Sequence, residues 1–132
     1  MLARRIMVPL GRSAKDLKSV HYALASAERL QAQVYILQQS SVKGENDQHS
    51  LWLDAALSDL INTARQAGLI VAHHVASGEV KGEIIGMSMA EGIDVLIFGD
   101  EDGIGESLPL QLKPMFHKQI IHVKEKDHIS YL

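Results

Sequence analysis

The residues best suited to chemistry lie in one short stretch. Gly99, Gly103 and Gly105 could free backbone N–H groups for a phosphate, while Asp100, Glu101, Asp102 and Glu106 could hold a cation or oppose an anion. A phosphate cradle needs unobstructed N–H groups and usually a helix amino terminus. Here four carboxylates precede the first base, Lys113. Each carboxylate about 8 Å from a phosphate charge costs about 0.5 kcal/mol in water-like screening, and about 2 kcal/mol at an effective dielectric near 20. As a calcium loop starting at Asp100 the run also falls short, because Ile104 and Gln111 stand where two oxygen ligands belong. A solvated acidic loop is the expectation.

Other candidate groups are dispersed. His73 and His74 are adjacent among seven histidines, yet neighbouring strand residues point to opposite faces and do not share a metal. Ser13 and Ser107 have no G-x-S-x-G elbow around them. No Walker loop occurs, and no G-x-G-x-x-G follows the first strand. The chain has no cysteine, which excludes thiolate metal sites, CxxC redox chemistry and cysteine nucleophiles. These features predict no catalytic centre and no metal site.

The elements that must position these residues follow from periodicity. Arg5 to Leu10 and Gln33 to Gln38 are short apolar runs that read as strands, and Leu17, Val20, Leu24, Ala27 and Leu30 mark a helix between them. Ser13 and Asp16 are spaced as a capping box for that helix. Residues 40–50 read as a polar loop, and Leu53, Leu57, Leu60, Ile61 and Ala64 form a second helical face ended by Gly68. Ile70 to Ala76 reads as a third strand, Val80 to Gly92 as a third helix and Val95 to Phe98 as a fourth strand ended by Gly99. The pattern is lost from Asp100 to His117, Gln119 to Val123 is a last strand, and a polar tail follows. Gly78, Gly82 and Gly86 recur at four-residue steps and are expected to pack the third helix against the sheet.

Alternation of this kind predicts an α/β doubly wound domain over 1–132, with a mostly parallel sheet and helices on both faces. In such sheets ligands bind beyond the carboxyl ends of strands, where strand order reverses. That directs attention to Pro9 to Ser13, Gln38 to Val42, Ser77 with Gly78, and Gly99 to Ser107. The 132 residues suffice for one core without disulfide or structural metal. A net charge of −3 lacks the basic footprint of nucleic-acid or anionic-membrane binding. The apolar run after Arg4 and Arg5 is too short for a signal peptide, and no segment approaches the roughly 20 apolar residues of a membrane span, so a cytoplasmic location is expected.

The segments RRIMVPLGRS, YALASAERLQAQVYIL and VASGEVKGEIIGMSMAEGIDVLIFG resemble the universal stress proteins in order and spacing, with Gly78, Ile84, Asp94 and Gly99 at the family's positions. The resemblance implies a five-stranded parallel sheet of order 3-2-1-4-5. It also implies an adenine-nucleotide site that would involve Leu10, Gly11, Leu37 and Gly99, and a homodimer paired through the last strand at Ile120, Ile121, His122 and Val123. An apolar strand left at a sheet edge invites pairing, although an edge covered within one chain has the same sequence signature. Two departures bear on the nucleotide. Gly11 stands where nucleotide-binding members have an aspartate, and of the G-x2-G-x9-G-[ST] loop only Gly99 matches, because Asp102 and Leu112-Lys113 occupy the other positions. The expected function is therefore a non-catalytic stress-response module that acts through dimerisation and protein contacts, with no cofactor. The alternatives are an ATP- or AMP-binding module, with magnesium, and a soluble regulatory subunit of a membrane transporter.

Overall fold

The computed structural model describes residues 4–40, 48–124 and 129–132, leaving aside the side chains of 48–50. Strand β1 (Arg5–Leu10) leads through α1 (Lys18–Leu30) to β2 (Gln33–Gln39), then α2 (Gln48–Gln66), β3 (Val71–Ala76), α3 (Val80–Glu91) and β4 (Val95–Gly99). A short helix α4 (Ser107–Leu112) precedes β5 (Gln119–Val123) and β6 (Ile129–Tyr131). The sheet order is β3-β2-β1-β4-β5-β6, parallel throughout except for the antiparallel β5–β6 pair.

The two central strands are apolar on both sides, as a sheet covered by helices on each face requires. All five residues of β4 are buried, as are Ile6 to Leu10 of β1. Ile6, Val8, Val34, Ile36 and Ile97 pack with α1 and α2 through Val20, Ala23, Leu57 and Ile61. On the other face Met7, Leu37, Leu96 and Phe98 pack with Ile84, Leu108 and Leu112 of α3 and α4.

Several expectations need correction. The sheet has six strands rather than five, because part of the polar tail returns as β6. Ile121, His122 and Val123 pair with Tyr131, Ser130 and Ile129, and the Leu132 N–H donates to the Ile120 carbonyl at 3.0 Å. The edge of β5 assigned to a dimer is thus covered within the chain; Ile120, Ile121 and Val123 are buried, and His122 is held by Asp100. The segment expected to be irregular contains α4, whose Pro109 falls in the first turn, where a missing N–H is tolerated. Of the loop expected over 40–50, residues 41–47 lie outside the described residues and 48–50 are already helical, ahead of the apolar stripe that starts at Leu53. Residues 125–128 of the expected tail are likewise outside the described residues. Gly82 and Gly86 do not face the sheet: both are exposed with open space above them, and Ile84, two residues from each, is the side chain that α3 buries.

Asp94 fastens the amino-terminal edge of the sheet. Its backbone N–H donates to the Arg5 carbonyl at 2.8 Å, and its carboxylate accepts from the Arg5 N–H at 2.9 Å and from Lys118 Nζ at 3.1 Å. Burial alone would raise its pKa; the Arg5 N–H, Lys118 and Arg4 outweigh that and hold it below the usual carboxylate range. A depressed folded pKa contributes stability that is present above the unfolded value and is lost as pH falls through the folded one. Asp94→Asn should cost about 0.5–1 kcal/mol at neutral pH, because solvent screens a carboxylate that is 36% exposed. In acid the cost should shrink, read as urea denaturation midpoints converging between pH 7 and pH 3.

Candidate functional site

Strand order reverses between β1 and β4, which places a crevice at their carboxyl ends. Arg5 accepts from Asp94 while Arg4 accepts from Gln33 of β2, so the odd-numbered residues of β1 turn their backbone groups toward β4. Pro9 is one of these and has no N–H to donate. The β1–β4 register accordingly covers only Ile6 with Val95 and Met7 with Leu96. Beyond that point the strands are free to accommodate another segment between their ends.

That segment belongs to the chain itself. The loop after β4 folds back across the crevice, and its carbonyls accept from the loop after β1: Asp102 from the Gly11 N–H at 2.8 Å, and Glu101 from the Lys15 N–H at 2.7 Å and the Asp16 N–H at 3.4 Å. Gly11 and Gly103 meet backbone to backbone. A methyl at Gly11 would overlap the Gly103 carbonyl oxygen, and one at Gly103 would lie 2.6 Å from the Ala14 nitrogen. Gly103 also has φ of +79°, which L side chains rarely adopt. This docking alters the start of α1. Leu17 rather than Ser13 takes the N-cap position, without a side-chain cap, and Asp16 Oδ1 accepts from the Lys18 N–H at 3.1 Å, so the expected capping box does not form.

The acidic run is solvated at Asp100 and Glu106, as expected, but not at Asp102. Asp102 is 2% exposed, and its carboxylate accepts from the Gly99 N–H at 2.8 Å and the Ile104 N–H at 3.0 Å. Burial raises its pKa; the two N–H groups and His122 oppose that rise, and Asp16 adds to it. Asp100 Oδ1 is 2.7 Å from His122 Nε2. The four strand-end positions of the expected nucleotide site come together here, but the Gly11 and Gly99 N–H groups are both taken by Asp102, and Leu10 and Leu37 are buried in the two cores. Ser19, at the start of α1 beside Gly99, is 1% exposed, and among the described residues its hydroxyl has no hydrogen-bond partner.

Around the crevice the remaining candidates form local contacts. Arg12 Nε donates to the Ser40 carbonyl at 2.7 Å, Gln38 Nε2 donates to Asp54 Oδ1 at 2.8 Å, and Gln38 Oε1 is 2.9 Å from His73 Nε2. Ser107 accepts from Gln111 Nε2 at 3.3 Å. Among the described residues a cavity of about 170 Å³ is left beside Gly11, Arg12, Gln38 and Asp54, well under the roughly 300–1,000 Å³ of most small-molecule sites. Also among the described residues, no three His, Asp or Glu side chains converge on a metal position, and no helix is long and apolar enough to cross a membrane. The plugging role of Gly103 is what the sequence reading missed. Its one local signal is the Asp102-Gly103 dipeptide, which marks a turn but not what the turn rests on.

Strand order, crossovers and the reversal between β1 and β4 define a doubly wound α/β protein of the kind that places ligands at such a reversal. The chain belongs to the universal stress protein family, whose model matches residues 3–106. Similar solved structures include a universal stress protein in complex with cAMP, at TM-score 0.67 and 16% identity, covering 94% of this chain and 98% of the other. The universal stress protein of Archaeoglobus fulgidus is similar at TM-score 0.62 and 16% identity, covering 92% and 94% of the two chains. Its complex with dAMP is similar at TM-score 0.61 and 16% identity, covering 92% and 98%. No curated protein matches the chain.

Three substitutions test this site by chemical denaturation. Gly11→Ala forces the two loops apart and should cost about 3 kcal/mol, the upper end for overpacking. Asp102→Ala leaves the Gly99 and Ile104 N–H groups without their acceptor and should cost about 2–4 kcal/mol. Ser19→Ala removes a buried unpaired hydroxyl and should stabilise by about 1 kcal/mol.

Proposed function

We propose that this member of the family is a non-catalytic regulatory module that works through contacts with proteins, including a second copy of itself, and does not hold ATP in the β1–β4 crevice. The observation that carries the reading is the apposition of Gly11 and Gly103, which fills the crevice with the chain's own backbone. Two further features support it. The N–H groups of Gly11 and Gly99 already have acceptors within the chain. The Asp102 carboxylate lies where negative charge opposes a phosphate. Among the described residues, no group in the crevice is arranged as a nucleophile with an adjacent base, as covalent catalysis requires.

A second reading is an adenine-nucleotide module without hydrolysis. It is favoured by the two similar structures that are complexes with dAMP and cAMP, and it requires the loop at residues 100–106 to lift from the β1 loop. Titration calorimetry with ATP, ADP, AMP and cAMP, with and without magnesium, separates the two. The first reading predicts no heat of binding up to millimolar ligand. A Kd below about 10 μM, equivalent to about −7 kcal/mol, overturns it in favour of the second.

A further inference from the structure

On the face of the sheet covered by α3 and α4, the packing leaves a gap that is separate from the crevice. Helix α3 and its C-cap present Ile85, Ser88, Met89 and Gly92 at steps of three and four residues, one stripe along the helix. Opposite the stripe stands the turn between α4 and β5, where the Met115 and Phe116 N–H groups both donate to the Leu112 carbonyl, at 2.9 and 2.8 Å. Ser88 and Gly92 are too short to fill the space between helix and turn, and a cavity of about 220 Å³ remains. It shares no lining residue with the smaller one beside Gly11.

The lining selects a guest by size, ring contacts and charge. Ile84, Ile93, Leu96 and Leu112, each 1% exposed or less, make an apolar floor. An apolar cavity of about 150 Å³ is enough for benzene, so this one takes a single ring with a short arm. The walls are the thioethers of Met89 and Met115 and the ring of Phe116, all groups that favour an aromatic neighbour. Met89 is 80% and Met115 58% exposed, so closing on a guest costs them little internal packing. On the same wall the Ser88 hydroxyl is buried with no partner among the described residues, a polar group that the chain leaves unsatisfied. No carboxylate is among the described lining residues, whereas His117 and the Lys118 ammonium are. Lys118 Nζ donates to Asp94 Oδ1 at 3.1 Å, which holds the ammonium in place and leaves two of its three N–H donors for an anion.

We propose that this cavity is a binding site for a small aromatic acid, a single ring with a short carboxylate arm. The ring lies on the apolar floor between Met89, Met115 and Phe116, and the carboxylate meets Lys118. The site is independent of the function proposed above, and it stands whether or not a nucleotide enters the β1–β4 crevice.

Titration of the full chain with phenylacetate, followed through methyl NMR shifts, tests it. Saturable shifts are expected at Ile84, Ile93, Leu96 and Leu112, with a Kd below about 1 mM, while Leu10 and Leu53 beside the crevice stay unmoved. Cyclohexylacetate, which has the charge without the aromatic ring, should bind about threefold more weakly. Lys118→Gln should raise the Kd for phenylacetate about fivefold and leave that for 2-phenylethanol, its neutral counterpart, unchanged. The absence of a saturable shift up to about 10 mM phenylacetate overturns the inference, as does a response confined to Leu10 and Leu53. Cyclohexylacetate bound as tightly as phenylacetate overturns the aromatic class, and 2-phenylethylamine bound as tightly overturns the acid. These ligand comparisons are read on the unaltered protein, so the inference can fail even where Lys118→Gln does not fold.

Discussion

The rest of the structure's functional meaning depends on one contact between two glycines. Gly11 and Gly103 touch backbone to backbone across the carboxyl ends of β1 and β4, and neither position has room for a side chain. The contact is possible because Pro9 ends the β1–β4 ladder early, and it is held because Asp102 accepts two N–H groups through its carboxylate and the Gly11 N–H through its carbonyl. A residue that would repel a phosphate by charge is thus used instead as an internal fastener. Its cost, a carboxylate almost wholly removed from water, is offset by the hydrogen bonds it accepts.

This arrangement accounts together for the departures from the family's nucleotide-binding pattern at positions 11 and 102. An aspartate at position 11 would collide with Gly103 for the same reason that alanine would, so restoring that residue alone would not rebuild an adenine contact. A glycine at position 102 would release the Gly99 and Ile104 N–H groups and with them the fold of the loop. The two positions are coupled through the loop that joins them, and they read as one altered feature rather than as two separate losses.

Much of the fold was legible in the sequence because it rests on periodicity. The five parallel strands and the three longer helices follow from apolar runs that alternate with helical stripes, the order of those five strands is what the family resemblance implied, and β1 and β5 agree with their expected ranges residue for residue. What was not legible rests on contacts between distant segments. β6 is three residues within a polar stretch, and its identity as a strand comes from β5 rather than from its own composition. Helix α4 is hidden by Pro109, and the start of α1 is displaced from Ser13 by the loop that docks on it. The acidic run was legible as charge but not as structure, since nothing local distinguishes buried Asp102 from half-exposed Asp100.

The central claim is that the crevice between β1 and β4 is closed by the protein's own backbone. Amide exchange of Gly11 and Gly99, followed by NMR with and without millimolar AMP, tests it most directly. The account predicts that both N–H groups are protected to the level of the neighbouring β4 core amides, and that neither their exchange nor their chemical shifts respond to the nucleotide. Rapid exchange at Gly11, or a saturable shift of Gly11 and Gly99 on addition of AMP, would contradict it.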